Sequence, residues 1–178
     1  MNQTDLKGKV AVVNGASRGI GEAIARGLAS CGAQLVLTSR SQESVQEVAD
    51  SIVDNGGLAV ARACHAGNMQ DIEALFAFVS DEFGRLDVLI NNAATNPYYG
   101  PATGLSPEAF DKTVQVNLKG PYFMSSAAIP LMAESGGGSI VNVASIAGLN
   151  PLQGQAVYSM TKAGLISLTK AFAKECGQ

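Results

Sequence analysis

One histidine, three cysteines and no cluster of basic residues: each shortage in this chain closes a class of function. A metal site or a histidine-centred triad needs partner ligands that His65, standing alone, does not have, so it reads as a structural loop histidine. Cys31, Cys64 and Cys176 are odd in number and share no metal-type spacing, which marks them as reduced thiols of a cytoplasmic protein rather than a disulfide framework. Charged residues make up only 15% of the chain, the net charge is -3, and Lys and Arg are scattered singly, so nothing offers a phosphate backbone a basic stripe and nucleic acid is excluded as a partner. The apolar runs are too short to span a bilayer, and Met1 to Asp5 is neither basic nor apolar, so neither membrane insertion nor export is indicated. No repeat or low-complexity segment occurs. What is abundant is apolar material: 47% hydrophobic residues in 178 supply one well-buried core, and a single domain covering residues 1–178 is expected.

The most informative stretch runs from Lys9 to Leu28. A short apolar run, Val10 to Val13, leads through Asn14, Gly15, Ala16, Ser17, Arg18, Gly19, Ile20 and Gly21 into residues whose apolar members recur at helical spacing. This predicts a strand, a tight glycine turn and a helix. Glycines let the main chain approach a ligand closely, and a helix start presents unpaired N–H groups and a positive dipole end, so the turn is a candidate anion site. Gly15, Ser17, Arg18, Gly19, Ile20 and Gly21 are therefore candidate cofactor contacts. The spacing G-x-x-x-G-x-G differs from the usual dinucleotide fingerprint, and an ordinary strand-to-helix turn is the competing reading.

Further strands are expected at Gln34 to Thr38, Leu58 to Ala63, Leu86 to Ile90 and Ser139 to Val143, with helices at Ser44 to Asp54, Met69 to Phe83, Pro107 to Glu134 (bending near Gly120-Pro121) and Gln155 to Cys176. Continuously apolar strands alternating with helices specify a doubly wound α/β fold, a parallel sheet between two helical layers, here with strand order 3-2-1-4-5. The order reverses between strands one and four and opens a crevice at their carboxyl ends, where the glycine turn meets Asn92, Ala93 and Ala94.

Tyr158 and Lys162 are four apart on the last helix and share a face, so the ammonium can approach the phenol. An isolated phenol ionises near pH ~10, and roughly 4 kcal/mol of preference for the phenolate is needed to bring that to neutrality. A neighbouring cation in a partly dry pocket supplies an effect of that kind and makes a tyrosine a usable general acid–base. A solvated pair is the alternative, but Ser145 at the close of strand five faces the same crevice.

Taken together, Gly15-x-x-x-Gly19-x-Gly21, Asn91-Asn92-Ala93, Asn117, Ser145 and Tyr158-x-x-x-Lys162 resemble the short-chain dehydrogenase/reductase family over essentially the whole chain. Asn91 to Pro101 and Cys64 to Gly67 are similar to the NADP-dependent retinal/carbonyl reductases of the peroxisomal type and their bacterial relatives. The resemblance implies hydride transfer between a nicotinamide and a carbonyl or secondary alcohol. It implies that Tyr158 donates the proton, Ser145 hydrogen-bonds the reacting oxygen, Lys162 tunes Tyr158 and holds the nicotinamide ribose, and Asn117 bends its helix to hold a water relay. It places His65 near the adenine pocket, where the family often has Asp, and puts Asn14 where the family often has Thr. Tyr98 and Tyr99 either line a substrate mouth or cover a loop.

NAD-preferring sites carry an acidic residue about twenty residues beyond the glycines; here the second strand ends Thr38-Ser39-Arg40, and Arg40 with Arg18 suits a 2′-phosphate, so NADP(H) is expected over NAD(H). Ala127, Ala128, Leu131, Met132, Leu165, Leu168 and Phe172 put apolar groups on several sides of two helices, which together with the resemblance predicts a homodimer or homotetramer. Family members usually continue beyond the last helix, so the 178 residues are expected to be part of a longer enzyme lacking the C-terminal strands. The alternatives are a 3-oxoacyl thioester reductase and a truncated nucleotide-binding or oligomerising module without turnover.

Overall fold

The computed structural model describes residues 5–177. Its strands are β1 (Val10–Asn14), β2 (Gln34–Ser39), β3 (Leu58–Ala63), β4 (Val88–Asn91) and β5 (Ser139–Asn142). Its helices are α1 (Gly19–Ser30), α2 (Gln42–Asp54), α3 (Met69–Phe83), α4 (Pro107–Val114), α5 (Gly120–Glu134) and α6 (Ala156–Cys176). All strand pairs are parallel and the order is β3-β2-β1-β4-β5, as the alternation of strand and helix signals requires.

Side chains of successive strand residues point to opposite faces, and the sheet uses both. Val10, Val12, Val36 and Leu89 pack with Ile72, Phe76 and Met124 from α3 and α5 on one face, while Ala11, Val13, Leu35 and Leu37 pack with Ala25, Val45 and Ile52 from α1 and α2 on the other. Each fully buried Leu or Val contributes about 2 kcal/mol, and this two-sided core fixes the sheet on which the site is built. Helix starts agree with local chemistry. Ser41, Asn68 and Ser106 cap α2, α3 and α4 by accepting from Ser44, Gln70 and Ala109 amides, so α2 begins two residues before the expected Ser44.

The expected single helix from Pro107 to Glu134 is three pieces. Between α4 and α5 lies a π-helical turn, Gln115–Lys119, so the interruption falls at Asn117 rather than at Gly120-Pro121. Gly120 is required for a different reason: a Cβ there would collide with the Ala66 carbonyl oxygen, so glycine lets α5 start against the β3–α3 connection. Of the apolar residues expected to be in surplus, Ala128, Met132 and Leu165 are buried within this chain and Ala127, Leu131, Leu168 and Phe172 are half-buried; outside that set, exposed Tyr122 packs against both Phe123 and Phe172. No helix among the described residues is long and apolar enough to cross a membrane.

Just before β4, the buried Asp87 carboxylate accepts from the Val10 amide, the Lys9 ammonium (2.9 Å) and the Arg85 guanidinium (2.6 Å). Burial raises its pKa, but the hydrogen bonds from Arg85, Val10 and Lys9 outweigh burial and hold the carboxyl well below the ordinary carboxylate range. A group depressed in the folded state stabilises the fold above its unfolded pKa, near ~4, and loses that contribution as pH falls. Asp87→Ala is therefore expected to cost roughly 2 kcal/mol at neutral pH, because Val10 loses its acceptor while the half-exposed cations return to water. The deficit should shrink as pH falls below ~4; urea titrations of both proteins across that range check it, and an undiminished deficit at low pH would count against the charge-based account.

Candidate active site

The glycine turn joins β1 to α1 at the point where the strand order reverses. Gly15 (φ 76°) and Gly19 (φ 62°) occupy left-handed conformations closed to most side chains, and the Gly15 and Ala16 amides donate to the Thr38 carbonyl. Gly21 faces inward: Asn92 Nδ2 donates to the Gly15 carbonyl at 2.9 Å, and a Cβ on Gly21 would collide with that carbonyl oxygen. Arg18 precedes α1 in an extended conformation and provides no side-chain cap, in contrast to α2, α3 and α4, so the first-turn amides of α1 are open to an anion.

Above this helix start lies a cleft of about 880 Å³. Of the candidate cofactor contacts, Gly15, Ser17, Arg18, Gly19, Ile20, Asn92, Ala93 and Ala94 line it. Arg40 lines it at the end of β2, and so do Ser41, Ser44, Cys64, His65, Thr95, Lys112 and Val116, which the sequence reading did not place there as cleft contacts, apart from setting His65 near a nucleotide pocket. Among the described residues, three cations, Arg18, Arg40 and Lys112, and no carboxylate line the cleft. His65 Nδ1 accepts from the Gly67 amide, while Asp71 accepts from the His65 amide, so this histidine holds its loop. Buried Cys64 is an inert thiol, pushed up to about 12 by burial and by Asp71.

Gly21, Tyr158 and Lys162 do not line this cleft. Gly21 serves by close packing behind it. Tyr158 lines a small adjoining hollow with Asn96, Tyr98 and residues 154–157. Lys162 is buried, with Nζ 5.8 Å from the centre of the Tyr158 ring, and donates to the Val143 carbonyl at 2.7 Å, so it lies under the tyrosine without bonding to the phenol. Burial lowers its pKa. Ser145 caps a 3₁₀ turn, Ile146–Gly148, whose last residue packs so tightly on the Lys162 backbone that a Cβ would come within 2.7 Å of it. Asn117, fully buried in the π turn, exchanges hydrogen bonds with the Thr95 amide and carbonyl (2.7 and 2.8 Å) and donates to Thr161 Oγ1 (3.2 Å). It braces the cleft wall against α6. Asn14 Oδ1 accepts from Thr38 Oγ1 at 3.1 Å. Tyr98 covers its loop, with its hydroxyl on the Pro101 carbonyl, while Tyr99 stands 74% exposed.

A family model described as short chain dehydrogenase matches residues 9–178. The chain belongs to the short-chain dehydrogenase family. Among curated members of that family, human dehydrogenase/reductase SDR family member 4 is 40% identical over 170 residues, which cover 96% of this chain and 61% of the human protein. The chain thus spans about 61% of the length of that relative. Among solved structures, a metagenomic short-chain oxidoreductase in complex with NADP superposes with a TM-score of 0.92 at 44% identity, covering 96% of this chain and 77% of that one. A putative short-chain alcohol dehydrogenase from Sinorhizobium meliloti 1021 gives a TM-score of 0.92 at 35% identity, covering 97% and 68%.

Proposed function

We propose that the protein is an NADP(H)-dependent oxidoreductase acting on a carbonyl or secondary alcohol, with residues 1–178 forming one dinucleotide-binding domain. The observation that carries the reading is the uncapped start of α1 opening into a cleft whose charged lining is entirely cationic. The residues present fit a dinucleotide: the α1 amides suit a pyrophosphate, and Arg18 and Arg40 suit a ribose 2′-phosphate. When bound, such a cofactor supplies or accepts hydride. In this reading the Tyr158 hydroxyl gives its proton to the carbonyl oxygen, and Ser145 Oγ donates a hydrogen bond to the same oxygen. Lys162, desolvated beneath the ring, favours the phenolate left behind and holds the ribose, while Asn117 keeps α6 in place.

Cofactor choice tests the reading. NADPH is expected to bind more tightly than NADH, and Ser39→Asp combined with Arg40→Ala to reverse the order, since a carboxylate repels the phosphate and accepts from a 2′-hydroxyl. Fluorescence titrations showing NADH preferred by the parent protein would sink this assignment.

The substrate side is uncharged. No Asp, Glu, Lys, Arg or His occurs from Asn91 to Pro107 or from Ser135 to Thr161, the two stretches that flank Tyr158, and Ile146, Leu149 and Tyr99 are exposed there. This favours a neutral apolar ketone or alcohol over a phosphate-bearing acyl thioester, which would want a cation at the mouth. The reading includes a homodimer or homotetramer in which the face of exposed Tyr122 and Phe123 and half-buried Phe172 pairs across a two-fold axis. A monomer by light scattering at micromolar concentration would remove that part.

A further inference from the structure

Three of the five strands end on the same residue. β1 closes on Asn14, β4 on Asn91 and β5 on Asn142, and the parallel register sets Asn14 beside Asn91 and Asn91 beside Asn142, with Thr38 of β2 on the other side of Asn14. Register partners in a parallel sheet project from one face. Here it is the face of α3 and α5, because Val12, Val36 and Leu89, two residues earlier on their strands, pack there. The four side chains form a polar row across the carboxyl end of the sheet, and Asn14 is also part of the cleft lining.

The row is nearly continuous. Thr38 Oγ1 donates to Asn14 Oδ1 at 3.1 Å; Asn91 Nδ2 donates to Asn142 Oδ1 at 2.9 Å and to Ser125 Oγ of α5 at 3.3 Å; Asn142 Nδ2 donates to Thr169 Oγ1 of α6 at 2.9 Å. One join differs. Asn14 Nδ2 and Asn91 Oδ1 are both buried and find no hydrogen-bond partner among the described residues. One is a donor and the other an acceptor, on adjacent strands and in register. Thr38 holds Asn14 Oδ1, and Ser125 and Asn142 hold Asn91 Nδ2, so neither amide can swing toward the other without giving up a bond.

We propose that this join is a binding site for a single water molecule, which accepts from Asn14 Nδ2 and donates to Asn91 Oδ1, with the Ser125 hydroxyl as a third neighbour. Two to four polar partners are what a buried water needs. The completed row runs from β2 to α6 and ties the strand that opens the glycine turn to the helix that carries Tyr158 and Lys162.

A high-resolution crystal structure of the protein should show a water within about 2.7–3.2 Å of both atoms. A direct amide–amide bond, or an empty apolar gap, would overturn the proposal. In solution, and in a Thr38→Val background that removes the row's own partner for residue 14, Asn14→Thr and Asn14→Val differ by one hydroxyl at equal shape, and only the threonine can bond the water. The threonine variant should melt higher by roughly 2–4 °C. A valine variant that fails to fold where the threonine variant folds agrees with the proposal; equal melting, or valine melting higher, contradicts it.

Discussion

Replacing Tyr158 by phenylalanine should lower turnover by about a thousandfold and leave NADPH affinity within about threefold of the parent, a loss within the range of a positioned general acid. The substitution keeps the ring, which sits half-buried over Lys162 and beside Asn96 and Tyr98, and removes only the hydroxyl. Lys162 keeps its bond to the Val143 carbonyl, so the helix and the cofactor side of the crevice have no reason to move. Single-turnover reduction of an aromatic ketone, followed at the nicotinamide absorbance, reads the rate, and a fluorescence titration reads the affinity. Wild-type single-turnover rates in the variant would show that the proton comes from elsewhere.

The second large effect is expected at Gly21. A methyl group there meets the Gly15 carbonyl oxygen and the Asn92 amide, the two groups whose 2.9 Å bond clasps the turn to the β4 loop. Backbone cannot yield as a flexible side chain would, so the turn must shift. Overpacking of this kind costs about 1–3 kcal/mol, or a melting temperature lower by roughly 5 °C, and moves the α1 amides that face the cleft. Gly21→Ala should therefore also weaken NADPH at least about a hundredfold, by analogy with other losses of preorganised geometry. Gly27→Ala is the matched control: it lies in the same helix, has ordinary backbone angles and nothing within 4 Å of a new Cβ, and should be neutral or slightly stabilising. Calorimetry and cofactor titration on both variants check the contrast; equal behaviour of the two would show that the turn is not held by close packing.

The sheet was legible in the sequence because its signals are local: apolar runs, glycine stops and capping residues such as Ser106 and Asn68 are read within a few positions. The order of the strands followed from handedness and the crossover rule. The glycine turn itself was legible for the same reason. What escaped depends on tertiary approach. Lys112 reaches the cleft only because α4 crosses it, and Gly120 is glycine because of a carbonyl at Ala66, far earlier in the chain. The local residue pattern put the bend at Gly120-Pro121, the stronger local breaker, while the family resemblance put it at Asn117, where the π turn lies and where the Asn117 side chain bonds across the fold. The bond from the Lys162 ammonium to the Val143 carbonyl is likewise a strand contact that helical spacing alone does not reveal.

The most direct test of the account follows the hydrogen itself. The protein would be given NADPH carrying deuterium at the reactive face of the nicotinamide, together with an aromatic ketone, and the product alcohol examined by mass spectrometry. The account predicts an alcohol heavier by one deuterium at the former carbonyl carbon, formed by the parent protein and by Asp87→Ala at a temperature where it is folded, and nearly absent with Tyr158→Phe. Alcohol formed without deuterium, no alcohol from the folded parent protein across a panel of neutral ketones, or undiminished labelling by Tyr158→Phe would contradict it.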